Sequence, residues 1–112
     1  EPRVAAGRIE LTIDQAIPCG LIINELLTNA LKYAFPPGWM GKPEILVSVS
    51  EGDGMIELVV SDNGIGLSED VDFNRMQTLG LSLTPMLAKQ LLGTFEVDRS
   101  SGTRFTVRFP KK

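Results

Sequence analysis

Two period-two runs face each other across a turn, and this pattern narrows the fold more than any other feature. Ile45, Val47 and Val49 alternate along the first run and Ile56, Leu58 and Val60 along the second, with Glu51-Gly52-Asp53-Gly54 between them. Alternation gives each run one apolar face, and an Asp-Gly turn joins such runs as an antiparallel hairpin. A hairpin alone is marginal in water, so its apolar face has to be extended by further strands and covered.

The rest of the chain supplies both. Ile9, Leu11 and Ile13 alternate with Glu10 and Thr12, which predicts a first strand. Asp14 is placed to cap a helix running to about Ala34, with Pro18 in its first turn and Phe35-Pro36-Pro37-Gly38 ending it. Residues 36–43 read as a loop in which Trp39 has a packing role. Residues 63–78 show little periodicity, and the part from about Ser68 to Gln77 reads as a mobile lid. A second helix is expected from about Leu79 to Leu92, stopped by Gly93. Phe95 and Val97 begin another strand, and Arg99-Ser100-Ser101-Gly102 turns the chain. Thr103, Phe105, Val107 and Phe109 alternate in a last strand. The order β-α-β-β-loop-α-β-β predicts an α+β two-layer sandwich, a mixed, mostly antiparallel sheet with its helices on one face. Glu10, Thr12, Ser48, Ser50, Glu57, Arg104 and Arg108 would form the other face, solvated or covered by a partner.

Residue counts exclude several kinds of function. The chain of 112 residues fits one domain, and its start at Glu1 reads as a fragment of a longer chain. With 43% hydrophobic and 22% charged residues, a packed core is expected. There is no histidine. A His-dependent hydrolase, a His-ligated metal site and a self-contained phosphohistidine enzyme are thereby excluded. The single cysteine, Cys19, excludes a disulfide framework and a multi-cysteine zinc site. Its apolar flanks mark it as a buried structural thiol. A net charge of −3 argues against nucleic-acid binding. No apolar run approaches the ~20 residues that span a bilayer, and no signal peptide is recognisable.

Four short stretches carry candidate chemistry, each with a plain alternative. On the first helix Ile23, Leu26, Leu27, Ala30 and Ala34 share an apolar face, while Glu25, Asn29, Lys32 and Tyr33 form a stripe beside it. The stripe is either a solvated face or a site where an acid, an amide, a cation and an aromatic converge. Asp62-Asn63-Gly64-Ile65-Gly66 follows a strand; it is a simple Asx turn, or an aspartate placed to accept from an exocyclic amine with glycines admitting a ligand to the backbone. Thr78-Leu79-Gly80-Leu81 opens the second helix, where free N–H groups attract phosphate. Gly102-Thr103 is a tight turn, or a hydroxyl near a base edge.

All four occur together and in order. The stretch from Gly20 to Phe35 resembles the N box of histidine kinases, Asp62 to Gly66 the first glycine box, Thr78 to Leu83 the second, and Gly102-Thr103-Arg104-Phe105 the last glycine motif. Over residues 8–110 the chain is similar to the Bergerat-fold ATP-binding domains of histidine kinases, type II topoisomerases, Hsp90-type chaperones and MutL-type repair proteins. Its wording is similar to the bacterial and archaeal kinases linked to PAS or GAF sensors. The resemblance implies that Asp62 accepts the adenine amino group with Thr103 in support. Tyr33, Ile65 and Leu79 would line the adenine, and Gly64, Gly66, Gly80 and Leu81 would meet the nucleotide. Lys32 would pair with phosphate and Asn29 would ligate Mg²⁺. Glu25, where many histidine kinases have Asn, would be the general base or orienting residue. The implied function is donation of the γ-phosphate of Mg-ATP to a histidine on a separate dimerisation domain, with a response-regulator receiver downstream. The domain would be cytoplasmic, with no membrane or nucleic-acid contact of its own. A serine kinase of the anti-sigma type and an ATPase module of the same superfamily are the alternatives.

Overall fold

In the computed structural model the hairpin forms as its alternation requires. Strands β2 (Ile45–Gly52) and β3 (Met55–Asp62) pair antiparallel from Gly52 opposite Met55 to Ile45 opposite Asp62. The turn between them uses positive φ at Asp53 (54°) and Gly54 (76°), the left-handed pair that matches strand twist. Residues 2–6, 9–31, 38, 41–64, 83–98 and 102–111 are described. Around the hairpin stand β1 (Pro2–Ala6), helix α1 (Ile13–Asn29), helix α2 (Leu83–Gln90), β4 (Thr94–Asp98) and β5 (Thr103–Pro110). The sheet has the order β1-β2-β3-β5-β4, with β1 parallel to β2 and the other pairs antiparallel.

Both helices cover one face of this sheet. Cys19, Ile22 and Leu26 of α1 and Leu87 and Ala88 of α2, with Leu91 just after it, pack on Val47, Ile56, Leu58, Val60, Phe105, Val107 and Phe109. This is the expected two-layer α+β sandwich. The opposite face carries Glu57 and Arg108, paired at 2.7 Å, but it is not wholly wet: Val59 and Thr106, opposite each other in register, are buried.

Several local expectations are corrected. The first strand is not Ile9–Ile13 but Pro2–Ala6. Ile9 and Leu11 do turn inward against the core while Glu10 and Thr12 are exposed, so the alternation reports burial without a hydrogen-bond ladder. Glu10 and Thr12 therefore do not belong to the outer sheet face. The helix cap is Thr12, not Asp14: Thr12 Oγ1 accepts from Gln15 N, and Gln15 Oε1 accepts from Thr12 N. This reciprocal pair is a capping box, and the Asp14 side chain has no part in it. Pro18 then falls in the second helical turn, where it forfeits one backbone hydrogen bond. The buried stripe of α1 runs Gln15, Pro18, Cys19, Ile22, Leu26 and Asn29, whereas Ile23 and Leu27 are only half-buried. Helix α2 begins in the described residues at Leu83. It ends with Leu92, not glycine, at positive φ (62°); Gly93 N donates to Ala88 O and Leu92 N to Lys89 O. Gly93 is needed for a different reason, because a Cβ there would strike the Arg108 carbonyl of β5. Ala34, Trp39, the lid at 68–77 and the turn at 99–101 lie outside the described residues.

Candidate active site

Three element ends meet at one end of the sandwich. Gln15, buried in the first turn of α1, donates from Nε2 to the carbonyl of Pro110, which pairs with Met55 at the start of β3. From that anchor α1 covers roughly 21 Å to Asn29 at 1.5 Å per residue, and β3 covers roughly 24 Å from Met55 to Asp62. The last residues of α1 and β3 thus reach the same end of the sheet. Asp14, Gln15 and Pro18 line one small surface cleft with Gln90 and Leu91, so the end of α2 lies by the start of α1 and the helices run antiparallel. That returns the start of α2 to the end where Asn29 and Asp62 lie.

Strand parity decides which side chains face the helices there. Asp62 follows Ile56, Leu58 and Val60 on the inner face, and Thr103 precedes Phe105 and Val107 on the inner face of β5. Asp62 and Thr103 are register partners, and both are buried. Asp62 Oδ1 accepts from Gly64 N at 2.8 Å. Burial pushes the Asp62 carboxyl above the ordinary carboxylate range, while the N–H groups of Gly64 and Thr103 pull it down without prevailing. Asn63, next in the same motif, turns the other way: its Oδ1 accepts from Glu44 N and its Nδ2 donates to Lys42 O. It ties the segment before β2 to the end of β3.

Gly102 lies beneath Asp62. Its φ is +78°, and a Cβ would collide with the Asp62 carbonyl. Only glycine allows the backbone to enter β5 so close to the end of β3.

Asn29 and Glu25 share α1. Asn29 is buried at 6% exposure, and its Oδ1 has no hydrogen-bond partner among the described residues. A buried amide oxygen without a partner costs on the order of 1–3 kcal/mol. Such an atom is a hard donor suited to Mg²⁺. Among the described residues no group of three His, Cys, Asp or Glu side chains could hold a metal unaided, so an ion at Asn29 would be shared with substrate oxygens. Glu25, half-buried one turn earlier, accepts through Oε1 from both Oγ1 and N of Thr84 in α2.

The described residues therefore bring Glu25, Asn29, Asp62, Gly64 and Thr103 to one end of the fold. Lys32, Tyr33, Ile65, Gly66, Leu79, Gly80 and Leu81 lie outside the described residues. Reading the sequence missed Thr84. It lies inside the helix expected from about Leu79 and in none of the four stretches read as carrying chemistry, and its contact with Glu25 is long-range. No helix among the described residues is long and apolar enough to cross a membrane.

Comparison with known proteins agrees with this fold. The chain is 31% identical over 108 residues to blue-light-activated histidine kinase 2 of Erythrobacter litoralis, covering 96% of this chain and 31% of that protein. It is 35% identical over 101 residues to the nitrate/nitrite sensor protein NarX of Escherichia coli K12, covering 88% of this chain and 16% of that one. The chain thus spans about a third or less of the curated relatives it matches. The histidine kinase domain of the Erythrobacter litoralis EL346 blue-light activated histidine kinase superposes with a TM-score of 0.87 at 27% identity, over 99% of this chain and 51% of that chain. The ATP binding domain of PrrB from Mycobacterium tuberculosis shares the fold, with a TM-score of 0.73 at 20% identity over 98% of this chain and 80% of that one. The model of the histidine kinase-, DNA gyrase B- and HSP90-like ATPases matches residues 14–112, and the chain belongs to that family.

Proposed function

We propose that this domain binds Mg-ATP and donates the γ-phosphate to a histidine on a separate dimerisation domain, within two-component signalling. What supports the reading is a buried Asp62 held by the Gly64 N–H, together with a buried Asn29 whose amide oxygen has no hydrogen-bond partner among the described residues. Asp62 accepts the adenine amino group, supported by Thr103. Gly64, with Gly66, Gly80 and Leu81, admits the nucleotide to the backbone. Tyr33, Ile65 and Leu79 line the base, and Lys32 pairs with phosphate as a mobile point charge. Asn29 would hold Mg²⁺, which when bound neutralises charge on the transferring phosphoryl group. Glu25 acts beside the γ-phosphate as base or orienting group.

The family and its histidine kinase relatives support the donor role. The chain has no histidine, which is consistent with an acceptor on another domain in this reading. A receiver domain of a response regulator is the onward acceptor, and the domain works in the cytoplasm.

The test has two stages. Calorimetry should show Mg-ATP binding to the chain, weakened by roughly 1.5–3 kcal/mol in Asp62→Ala. Labelled γ-phosphate should then pass to a helical domain bearing a histidine as an acid-labile adduct. Label arriving on serine, or hydrolysis without transfer, would replace this reading with an anti-sigma-type kinase or an ATPase module.

A further inference from the structure

Glu25 is gripped from across the helix pair. Its Oε1 accepts from Thr84 Oγ1 at 2.9 Å and from Thr84 N at 3.2 Å. Thr84 is completely buried. It is the second described residue of α2, and its N–H and its hydroxyl both donate to the same Glu25 oxygen. Two charge-assisted bonds on one oxygen fix the rotamer of the Glu25 side chain. Oε2 is the oxygen that Thr84 does not engage.

A cap alone would not need this particular partner. Thr84 could be capped by a residue of its own chain segment, yet it is held by a side chain one turn from Asn29 on another helix. The bond ties the helix carrying Asn29 to α2. It sets the Glu25 carboxylate at the end of the fold where Asp62 lies.

Building on the phosphoryl-donor reading above, we propose that Thr84 is a positioning residue: by holding Oε1 it orients Glu25 so that Oε2 is presented to the acceptor beside the γ-phosphate. In the transfer step the lone pair of an imidazole nitrogen forms the N–P bond. The bond from the γ-phosphorus to the bridging oxygen breaks, and its electron pair leaves on ADP. The ring keeps its N–H proton and becomes positively charged, and a fixed carboxylate beside it stabilises that charge only as transfer proceeds. Thr84 touches neither nucleotide nor acceptor in this scheme and acts through Glu25.

The experiment compares wild type, Thr84→Val and Thr84→Ser in the intact protein that carries this domain, reading kcat for histidine phosphorylation, KM for Mg-ATP and Tm. Valine keeps the shape and removes the hydroxyl donor. Loss of one bond to a charged group should lower kcat about tenfold, with KM within about twofold because the bond matters in the transition state. Thr84→Ser keeps the donor and should restore most of the rate. In a Glu25→Ala background, Thr84→Val should cost nothing further, as expected when one residue acts through the other. If Thr84 only caps α2, Tm falls but the rate of the folded protein stays at the wild-type value, and the proposal is overturned. A loss from Thr84→Val that persists at full size in Glu25→Ala overturns it as well. If the valine variant does not fold, Thr84→Cys, a weak donor of similar shape, is read by the same kcat and KM split. A wild type that binds Mg-ATP and transfers nothing overturns the donor reading and this one together; a failure confined to the variants overturns this one alone.

Discussion

At the scale of single residues, Asp62 is held in a state that works against its own charge. Burial raises its pKa from the ordinary value of 3.8. Between that value and the raised one, the folded protein binds more protons at this site than the unfolded chain does. The contribution of Asp62 to stability is therefore fully present below pH 3.8, and is lost as pH rises through its folded pKa. Nucleotide binding should run the other way, because only the ionised carboxylate accepts from an amine without rearrangement. Affinity for Mg-ATP should fall as the solution is acidified through the raised pKa, and Asp62→Asn should remove that part of the pH dependence; calorimetry across the acid range measures both. At neutral pH Asp62→Ala should cost roughly 1.5–3 kcal/mol of binding, the value of a hydrogen bond to a charged group. Cys19 shows the same burial effect. Its thiol is pushed up to about 11 in the core between α1 and the sheet. Iodoacetamide at pH 8 should leave it unmodified in the native protein and label it quickly once urea unfolds the chain. Fast native labelling would show that the helix layer opens.

At the scale of elements, the two strained turns should respond in opposite directions to substitution. Leu92 closes α2 at φ 62° while its side chain is 75% exposed, so it carries left-handed strain with little burial in return. Leu92→Gly should stabilise the domain by roughly 0.5–1 kcal/mol, after allowing for glycine's larger unfolded entropy; the urea midpoint should rise at unchanged slope. Gly102 has no such tolerance. Its alanine variant would combine a left-handed backbone with a Cβ against the Asp62 carbonyl. Gly102→Ala should lose about 2–4 kcal/mol of stability, and the protein that remains folded should bind Mg-ATP more weakly because Asp62 is displaced. Equal affinity in folded wild type and variant would separate this turn from the site. The capping box teaches a related point. Thr12 and Gln15 were both available to a reading of the sequence at the required spacing, but Asp14 is an equally good cap by residue type. The choice was made by Gln15, whose Nε2 reaches the Pro110 carbonyl across the layers.

At the scale of the whole molecule, the proposed function separates holding the phosphoryl donor from supplying the acceptor. The chain has no histidine, so alone it should bind Mg-ATP and acquire no acid-labile label. A histidine-bearing helical domain supplied in trans should become labelled slowly. Joining the two covalently should raise the rate by about 10²-fold or more through effective concentration. Equal rates for mixed and joined proteins would mean that the domains already associate tightly.

The sequence by itself determined the class of fold and the residue types of the candidate site. Period-two runs marked β2, β3 and β5, because a strand half covered by helices must alternate. The same parity put Asp62 and Thr103 on the inner face. Local pattern could not decide which alternating run becomes a strand, since Ile9 and Leu11 bury themselves without a ladder while Pro2–Ala6 takes the parallel edge beside β2. Pairing across a sheet is a long-range choice that no window of sequence contains. Nor could pattern alone show that the partner of Glu25 is Thr84, 59 positions away. That contact exists only because two antiparallel helices share one face of the sheet, and such packing is a property of the folded chain.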